Sequence, residues 1–315
     1  MHLYGVKHWV QEAFVSFNII TIFYWMYLVV IRDIMEIAIY GRLGFRKESG
    51  VLPMRVCVLS SGSVGNATII ETDETCLLID NGLTLKKLQE LLRNQGFDEN
   101  KIEHLLITHE HSDHIKGAGI AVRKWKLCCW ATEKTLDAMY RKKILKPGVE
   151  KTMSVKKSTW YQIGDLMIMP VRISHDAADP VGYCIKHHEK MLVYVTDTGY
   201  CTGNILKEIA GADAYIFETN HNVEMLQMCD RPWLLKQRIL SDVGHLSNED
   251  AAYALSQLIS DRTQHIFLAH LSQDANLPDL ALMTVEFILK EEQIDLERLN
   301  LHMTYPLAPS TVVEI

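Results

Sequence analysis

Short apolar runs recur along the chain from residue 54 onward, and several of them end directly in polar residues. Such runs, rich in Val, Ile and Leu, are typical of buried strands. Amphipathic helical spacing occurs over residues 84–95, 247–260 and 278–290. Strands that come first and are then mixed with helices predict an α/β fold, a layered sandwich with the helices outside. The predicted strands cover residues 55–60, 67–71, 76–80, 104–108, 166–173, 182–187, 191–196, 214–218 and 265–269.

The N-terminal segment differs from the rest, because residues 13–31 contain no charged side chain. A stretch of this length is sufficient to cross a bilayer, for which about 20 apolar residues are needed. Three interpretations remain open: a membrane anchor, an apolar helix packed on the domain, or a start assigned too far upstream of a true first residue, Met54. We therefore divide the chain into an apolar extension, residues 1–53, and a domain, residues 54–315, and expect membrane contact only if residues 13–31 are native.

The composition is that of an ordinary globular protein. The 315 residues carry a net charge of −7, with 48% hydrophobic and 23% charged residues, which excludes a disordered chain, a collagen-like repeat and a multi-span membrane protein. The seven cysteines form no CxxC pair, and their odd number argues against a full disulfide framework. We expect a cytoplasmic protein or, if the N-terminal segment spans a bilayer, a membrane-anchored one with its domain in the cytoplasm.

The sequence THEHSDH, residues 108–114, follows a predicted strand and carries the strongest chemical signal. Its three imidazoles and one carboxylate are suitable ligands for Zn²⁺ or a similar divalent ion. Because alternate residues of an extended backbone project to the same side, His109 and His111 can point at one centre while Asp113 and His114 reach a neighbouring one. The spacing therefore predicts a metal site, and a solvated polar loop is the competing interpretation.

The HxHxDH pattern after a strand resembles the signature of the metallo-β-lactamase superfamily, whose fold is a four-layer αβ/βα sandwich. Family members supply further ligands from later strand ends, and this chain has His175, Asp197 and His270 at such positions. The resemblance implies two divalent metal ions per chain. It assigns His109, His111 and His175 to the first ion, and Asp113, His114 and His270 to the second, with Asp197 bridging.

Two neighbouring metal ions would lower the pKa of a shared water, so that hydroxide forms at neutral pH, and would clamp the attacking and leaving oxygens of a displacement. Asp197 would offset part of their positive charge. Histidine-rich sites accept Zn²⁺, and the carboxylates also allow Mn²⁺ or Fe²⁺. We expect no nucleotide cofactor.

The loop SSGSVGNAT, residues 60–68, follows the first predicted strand and contains small polar residues and two glycines. Such a loop can present backbone N–H groups to a phosphate, although a tight β-turn explains the same composition. In context the loop is similar to the opening segment of the YycJ/WalJ-type metallohydrolases. The candidate phosphate-binding residues are Ser61, Gly62, Ser63, Gly65 and Asn66.

Two further motifs, FETNH at 217–221 and GHLSNEDAA at 244–252, resemble motifs of the tRNase Z-like phosphodiesterases. In that group a Glu and a His act together to deliver a proton to the leaving oxygen, which gives these roles to Glu218 and His245. A carboxylate beside an imidazole raises its proton affinity and orients it, as a general acid requires. The alternatives are a strand-end salt bridge for Glu218 and a polar residue at a helix start for His245.

Positive charge is concentrated in residues 123–157, which contain eleven Lys or Arg and three acidic residues. Basic clusters beside tryptophans can bind nucleic-acid phosphates while the aromatic rings stack on bases. A solvated helix face is the competing interpretation. The candidate nucleic-acid-binding residues are Arg141, Lys142, Lys143, Lys156 and Lys157.

The motifs together predict a dinuclear metal-dependent phosphodiesterase with Asp113, Glu218 and His245 as catalytic residues. The resemblance to YycJ/WalJ-type proteins implies a 5′→3′ exonuclease on double-stranded DNA, linked to DNA repair. Two alternatives remain: a thioester or lactam hydrolase of the same superfamily, and a non-catalytic nucleic-acid-binding module. The sequence does not determine the oligomeric state.

Overall fold

The computed structural model describes residues 52–315, which form two seven-stranded sheets. The first sheet contains β1 (Arg55–Ser60), β2 (Ala67–Glu71), β3 (Cys76–Ile79), β4 (His104–Leu106), β5 (Cys128–Thr132), β6 (Thr152–Val155) and β14 (Val313–Glu314). The second contains β7 (Tyr161–Ile163), β8 (Leu166–Arg172), β9 (Val181–His187), β10 (Lys190–Val195), β11 (Ala214–Glu218), β12 (His265–Ala269) and β13 (Asn300–Met303). The strand orders are β14-β1-β2-β3-β4-β5-β6 and β13-β12-β11-β10-β9-β8-β7.

The helices of the described residues fall between the strands. They are α1 (Leu85–Asn94), α2 (Ser112–Ile115), α3 (Ala118–Trp125), α4 (Glu133–Arg141), α5 (Gly203–Ile209), α6 (Val223–Met228), α7 (Trp233–Ile239), α8 (Asn248–Leu258) and α9 (Pro278–Glu291), with a 3₁₀ turn at Glu99–Lys101. None of these helices is long and apolar enough to cross a membrane. The segment 13–31, on which the membrane interpretation depends, lies outside the described residues, so the division at residue 53 stays a prediction.

Three apolar layers show how the sheets and helices pack. Side chains of a strand alternate between faces, so Val56 and Val58 of β1 enter the core between the two sheets, whereas Cys57 and Leu59 pack under the helices of the first sheet. Helices α5, α8 and α9 cover the second sheet in the same way. The order helix, sheet, sheet, helix confirms the predicted four-layer αβ/βα sandwich.

The two sheets bring several strand ends to one edge of the sandwich. Strands β3, β4 and β5 run parallel, as do β10, β11 and β12. Three residues that directly follow or nearly follow these strands, Asp80, Asp197 and His270, have φ angles of 56°, 57° and 58°. Left-handed backbone at residues other than glycine is costly and concentrates at functional sites. The edge is therefore where a site is expected.

Candidate active site

The first group of candidate ligands joins two loops of different sheets. His109 and His111 lie between β4 and α2, and His175 follows β8. Their ring nitrogens are close enough to hold one ion, and His175 Nε2 is 3.2 Å from His111 Nδ1. The structure thus brings together the three residues that the sequence assigns to a first metal.

The second group lies beside the first. Asp113, His114 and His270 again place one ligand atom each within reach of a shared ion. Asp197 stands between the groups, because its carboxylate oxygens are 3.2 Å from His114 Nε2 and 3.8 Å from His175 Nε2. This is the position that a bridging carboxylate requires.

Four of these histidines use Nδ1 to anchor the ring, which leaves Nε2 for the centre. Such outer partners fix the tautomer and the ring orientation of metal-binding histidines. The contacts are His109 Nδ1 with Thr108 Oγ1 at 3.0 Å, His114 Nδ1 with Asp80 Oδ2 at 2.7 Å, His175 Nδ1 with the Gly244 carbonyl at 3.1 Å, and His270 Nδ1 with Glu218 Oε1 at 3.1 Å.

Several buried atoms at the centre have no hydrogen-bond partner among the described residues: His109 Nε2, His270 Nε2 and Asp197 Oδ2. Leaving a buried polar atom unpaired is costly, so a ligand that pairs with these three atoms would be stabilising. Imidazole nitrogen and carboxylate oxygen are the donors that Zn²⁺ and related ions take. The residues present therefore fit a divalent metal ion, as the sequence predicts.

The charges in this cluster favour added positive charge. Burial alone would raise the pKa of Asp197, but the neighbouring His270 and His114 outweigh it and hold the pKa well below its usual range. Burial would lower the pKa of His270, yet the charge of Asp197 and the nearby carboxylates of Asp113 and Glu218 raise it to about 10. The carboxylates thus stay ionised and draw a cation to the centre, which a divalent ion would satisfy.

Asp80 is a candidate site residue that the sequence analysis missed. It follows β3, is fully buried, and accepts hydrogen bonds from the backbone N–H and the hydroxyl of Thr108 at 2.9 and 2.8 Å. These bonds hold the carboxylate against His114. The sequence does contain a signal, the apolar run CLLID, which ends in an acidic residue. Because no other ligand residue is near it in the sequence, this signal alone does not reveal the role of Asp80.

The structure places Glu218 and His245 in direct contact. Glu218 ends β11, is fully buried, and accepts from His245 Nδ1 at 2.8 Å through Oε1. Its other oxygen accepts the backbone N–H of Thr198 and of Leu246 at 2.9 and 3.2 Å. Burial would raise the Glu218 pKa, but His245 and His270 outweigh it and lower the pKa to about 2. An ionised Glu218 therefore orients His245, whose side chain lines the cleft above the ligands.

The glycine-rich loop mostly supports the ligand loops. Ser61 Oγ accepts the His270 backbone N–H at 2.7 Å, and Asn66 donates its backbone N–H to the Asp113 carbonyl at 2.8 Å. Gly62 and Gly65 are buried as well, and Gly62 donates its N–H to Asn66 Oδ1 at 2.8 Å. Ser63 is exposed, and it is the one of the five candidates that lines the cleft.

A cleft of about 680 Å³ opens over the ligands. Of the five candidate nucleic-acid-binding residues, Lys142 lines the cleft. Its Nζ donates a hydrogen bond to the Glu110 carbonyl at 2.9 Å. Two arginines that the sequence analysis did not single out, Arg231 and Arg238, line it too. The other four candidates lie outside its lining: Arg141, Lys143, Lys156 and Lys157, the last paired with Asp179 at 2.7 Å.

A four-layer sandwich with a His/Asp cluster at its strand ends defines a metallohydrolase-type protein. The chain belongs to the beta-lactamase superfamily, whose domain model matches residues 75–270. It is 42% identical over 265 residues to "Exodeoxyribonuclease YycJ" of Bacillus anthracis, covering 81% of this chain and 97% of that protein. It is also 42% identical over 229 residues to "Exodeoxyribonuclease WalJ" of Streptococcus pneumoniae, covering 72% and 85%.

Solved structures agree on the fold. The metallo-beta-lactamase fold protein YhfI of Bacillus subtilis superimposes with a TM-score of 0.64 at 16% identity, covering 84% of this chain and all of that one. The short form of human tRNase Z gives a TM-score of 0.56 at 16% identity, covering 81% and 98%. At this identity the likeness concerns the fold alone.

Proposed function

We propose that this protein is a metal-dependent exonuclease that degrades double-stranded DNA from the 5′ end and acts in DNA repair in the cytoplasm. The proposal is carried by the Glu218–His245 pair beside the ligand cluster, in a chain 42% identical to proteins named exodeoxyribonucleases. Proton delivery to a leaving oxygen is what phosphodiester cleavage needs, because an alkoxide is a poor leaving group. All seven cysteines are free, as a reducing cytoplasm allows.

The proposed cofactor is a pair of divalent ions, Zn²⁺ or Mn²⁺, with Fe²⁺ as a further choice. The two ligand groups would hold one ion each, and Asp197 would touch both. Bound ions would supply a nucleophile from water at neutral pH and neutralise the charge of the phosphate.

The protein's own residues would orient the substrate and move the proton. His245 Nδ1–H donates to Glu218, which leaves Nε2 as the ring nitrogen that would carry the proton to the leaving oxygen. The ionised carboxylate stabilises the charged imidazole before transfer. Ser63 and Lys142, which line the cleft, would contact the phosphate backbone. Lys142 would thus supply positive charge for binding the phosphate, and His245 would supply the proton, in the same cleft.

A nuclease assay of the full chain tests the proposal. The chelated protein, reloaded with Mn²⁺ or with Zn²⁺, is incubated with single- and double-stranded DNA labelled at the 5′ or the 3′ end. We expect mononucleotides from the 5′ end of the duplex, and loss of cleavage in Asp113→Ala, which removes a ligand and leaves the apolar core intact. A protein that hydrolyses a thioester or a lactam and leaves DNA intact contradicts the proposal, as does Asp113→Ala with retained nuclease activity.

A further inference from the structure

One border of the cleft is formed by α7 and the residue pair that precedes it. Arg231, Leu235 and Arg238 line the cleft from this segment. Leu235 and Arg238 are three residues apart and share a face of α7. Arg231, which precedes the helix, lines the cleft with them, and the three residues are here called the basic stripe. The Arg231 and Arg238 side chains are 23% and 43% exposed, which leaves both open to a bound molecule.

Arg238 is held next to the first ligand group. Its Nη2 donates to Asp176 Oδ1 at 2.8 Å, and its Nε donates to the other oxygen of the same carboxylate. Asp176 directly follows the candidate ligand His175 and lies 3.5 Å from its Nε2. The guanidinium of Arg238 is therefore fixed within the mouth of the site.

Arg231 is held at the cleft in a similar way. Its Nε and Nη2 donate to Asp274 Oδ2 at 3.2 and 3.0 Å. Asp274 lies four residues after the candidate ligand His270 and lines the same cleft. Arg238 is thus paired with the residue after the candidate ligand His175, and Arg231 is paired with Asp274 in the segment that follows the candidate ligand His270.

Both ion pairs leave part of each guanidinium free. A guanidinium carries five N–H donors, and these contacts use only Nε and Nη2, so Nη1 stays available to a ligand in the cleft. A guanidinium already held by a carboxylate loses less side-chain entropy when it binds a second group. Arginine in this state suits a phosphate, which accepts two N–H groups at once.

We propose that Arg231 and Arg238 form a clamp for the backbone phosphates on either side of the cleaved bond. This inference rests on the proposed nuclease function and specifies which groups hold the strand. A thioester or a lactam has no flanking phosphates, so such a substrate would leave the free donors of both arginines without partners. A DNA strand across the centre supplies one phosphate to each arginine.

The test is the salt dependence of DNA cleavage by the full chain. The clamp variant, Arg231→Gln/Arg238→Gln, is compared with the control variant Arg93→Gln/Arg298→Gln. The control removes the same charge from residues outside the cleft lining. It also breaks an ion pair, that of Arg298 with Asp261 at 2.7 Å. A duplex contact to one phosphate contributes about 0.9 to the slope of log affinity against log salt. We expect the clamp variant to raise KM for DNA at least tenfold and to make the slope less negative by roughly 2, and the control to change neither.

Bound metal and thermal unfolding are measured on every variant, and each single arginine variant is assayed in case the double variant does not fold. A single variant is expected to change the slope by about 1. A clamp variant that is folded and cleaves DNA with the wild-type KM and slope overturns the clamp while the nuclease function stands. A wild-type protein that cleaves no DNA overturns the nuclease function, and with it the clamp, whatever the variants do.

Discussion

His114 and Asp80 share a hydrogen bond of 2.7 Å between Nδ1 and Oδ2, and neither side chain is exposed to solvent. The bond turns the other ring nitrogen of His114 towards Asp197, 3.2 Å away. Asp80 itself is held by Thr108 and has a left-handed backbone. An outer carboxylate of this kind fixes the ring and raises the basicity of the ligand nitrogen.

Asp80→Asn is therefore expected to weaken metal binding about 10- to 100-fold, because the amide cannot hold the His114 N–H as a carboxylate does. Competitive titration with a metal chelator measures the affinity, and circular dichroism checks the fold. The matched control is Asp165→Asn, which breaks the Asp165–His187 contact of 3.1 Å outside the cleft lining. Equal metal affinity in Asp80→Asn and the wild type would reject the role of Asp80.

Most strands could be predicted from the sequence, and so could the residues that cluster at the candidate site, because both leave local signals. All nine predicted strands occur, and the ligands follow buried strands or lie in a short histidine cluster. Five strands of the described residues were missed. Four of them, β6, β7, β13 and β14, lie at the edges of the sheets and are partly exposed, so their apolar patterning is weak. The fifth, β5, is buried throughout, but it lies inside the basic segment 123–157. An apolar pattern in the sequence indicates burial, so partly exposed strands do not show a clear pattern.

The basic segment shows why the substrate-facing residues were harder to predict. Residues 123–157 supply the end of α3, then β5, α4 and β6, so their charges spread over several elements. Of the residues named from this segment, Lys142 reaches the cleft, at the end of α4. Arg238 reaches it from a helix of seven residues that was not predicted, and Arg231 reaches it from the two residues before that helix. The position of these two arginines at the cleft depends on how elements distant in the sequence pack together. The number of charges along a segment does not indicate that packing.

His245→Ala is expected to affect substrates according to their leaving group. Loss of a general acid costs about 10²- to 10⁴-fold when the leaving oxygen needs a proton. We expect a drop of that size in kcat with DNA and a drop below roughly tenfold with bis(p-nitrophenyl) phosphate, whose leaving group departs as an anion. The exposed His188 provides the control variant His188→Ala. Equal losses on the two substrates, with metal content unchanged, would remove His245 from proton transfer.

Gly82→Ala is expected to disrupt the ligand loop by direct collision. A Cβ at Gly82 would lie 1.8 Å from the carbonyl oxygen of Asp113, so the backbone of the HxHxDH loop must move. Because Asp113 and His114 follow that movement, we expect weaker metal binding and at least about 100-fold less DNA cleavage. Gly203→Ala is the control, since its Cβ would meet no atom within 4 Å. Wild-type metal stoichiometry and activity in Gly82→Ala would show that the loop tolerates the shift.

His302, outside the candidate site, should make stability depend on pH. Burial, and then the nearby His265, lower the pKa of His302 to about 4, and the two rings are in contact at 3.1 Å between nitrogens. In the unfolded chain His302 takes up a proton near pH 6.5, whereas in the folded protein it does so only near pH 4. The contribution of His302 to stability is therefore lost as the pH falls through this window and is fully present above it. In His302→Gln the dependence of stability on pH should be smaller. Denaturant unfolding of the two proteins at several pH values measures it, with the same metal present in every sample. A difference in unfolding free energy that stays the same from pH 7 to pH 4 would contradict the prediction.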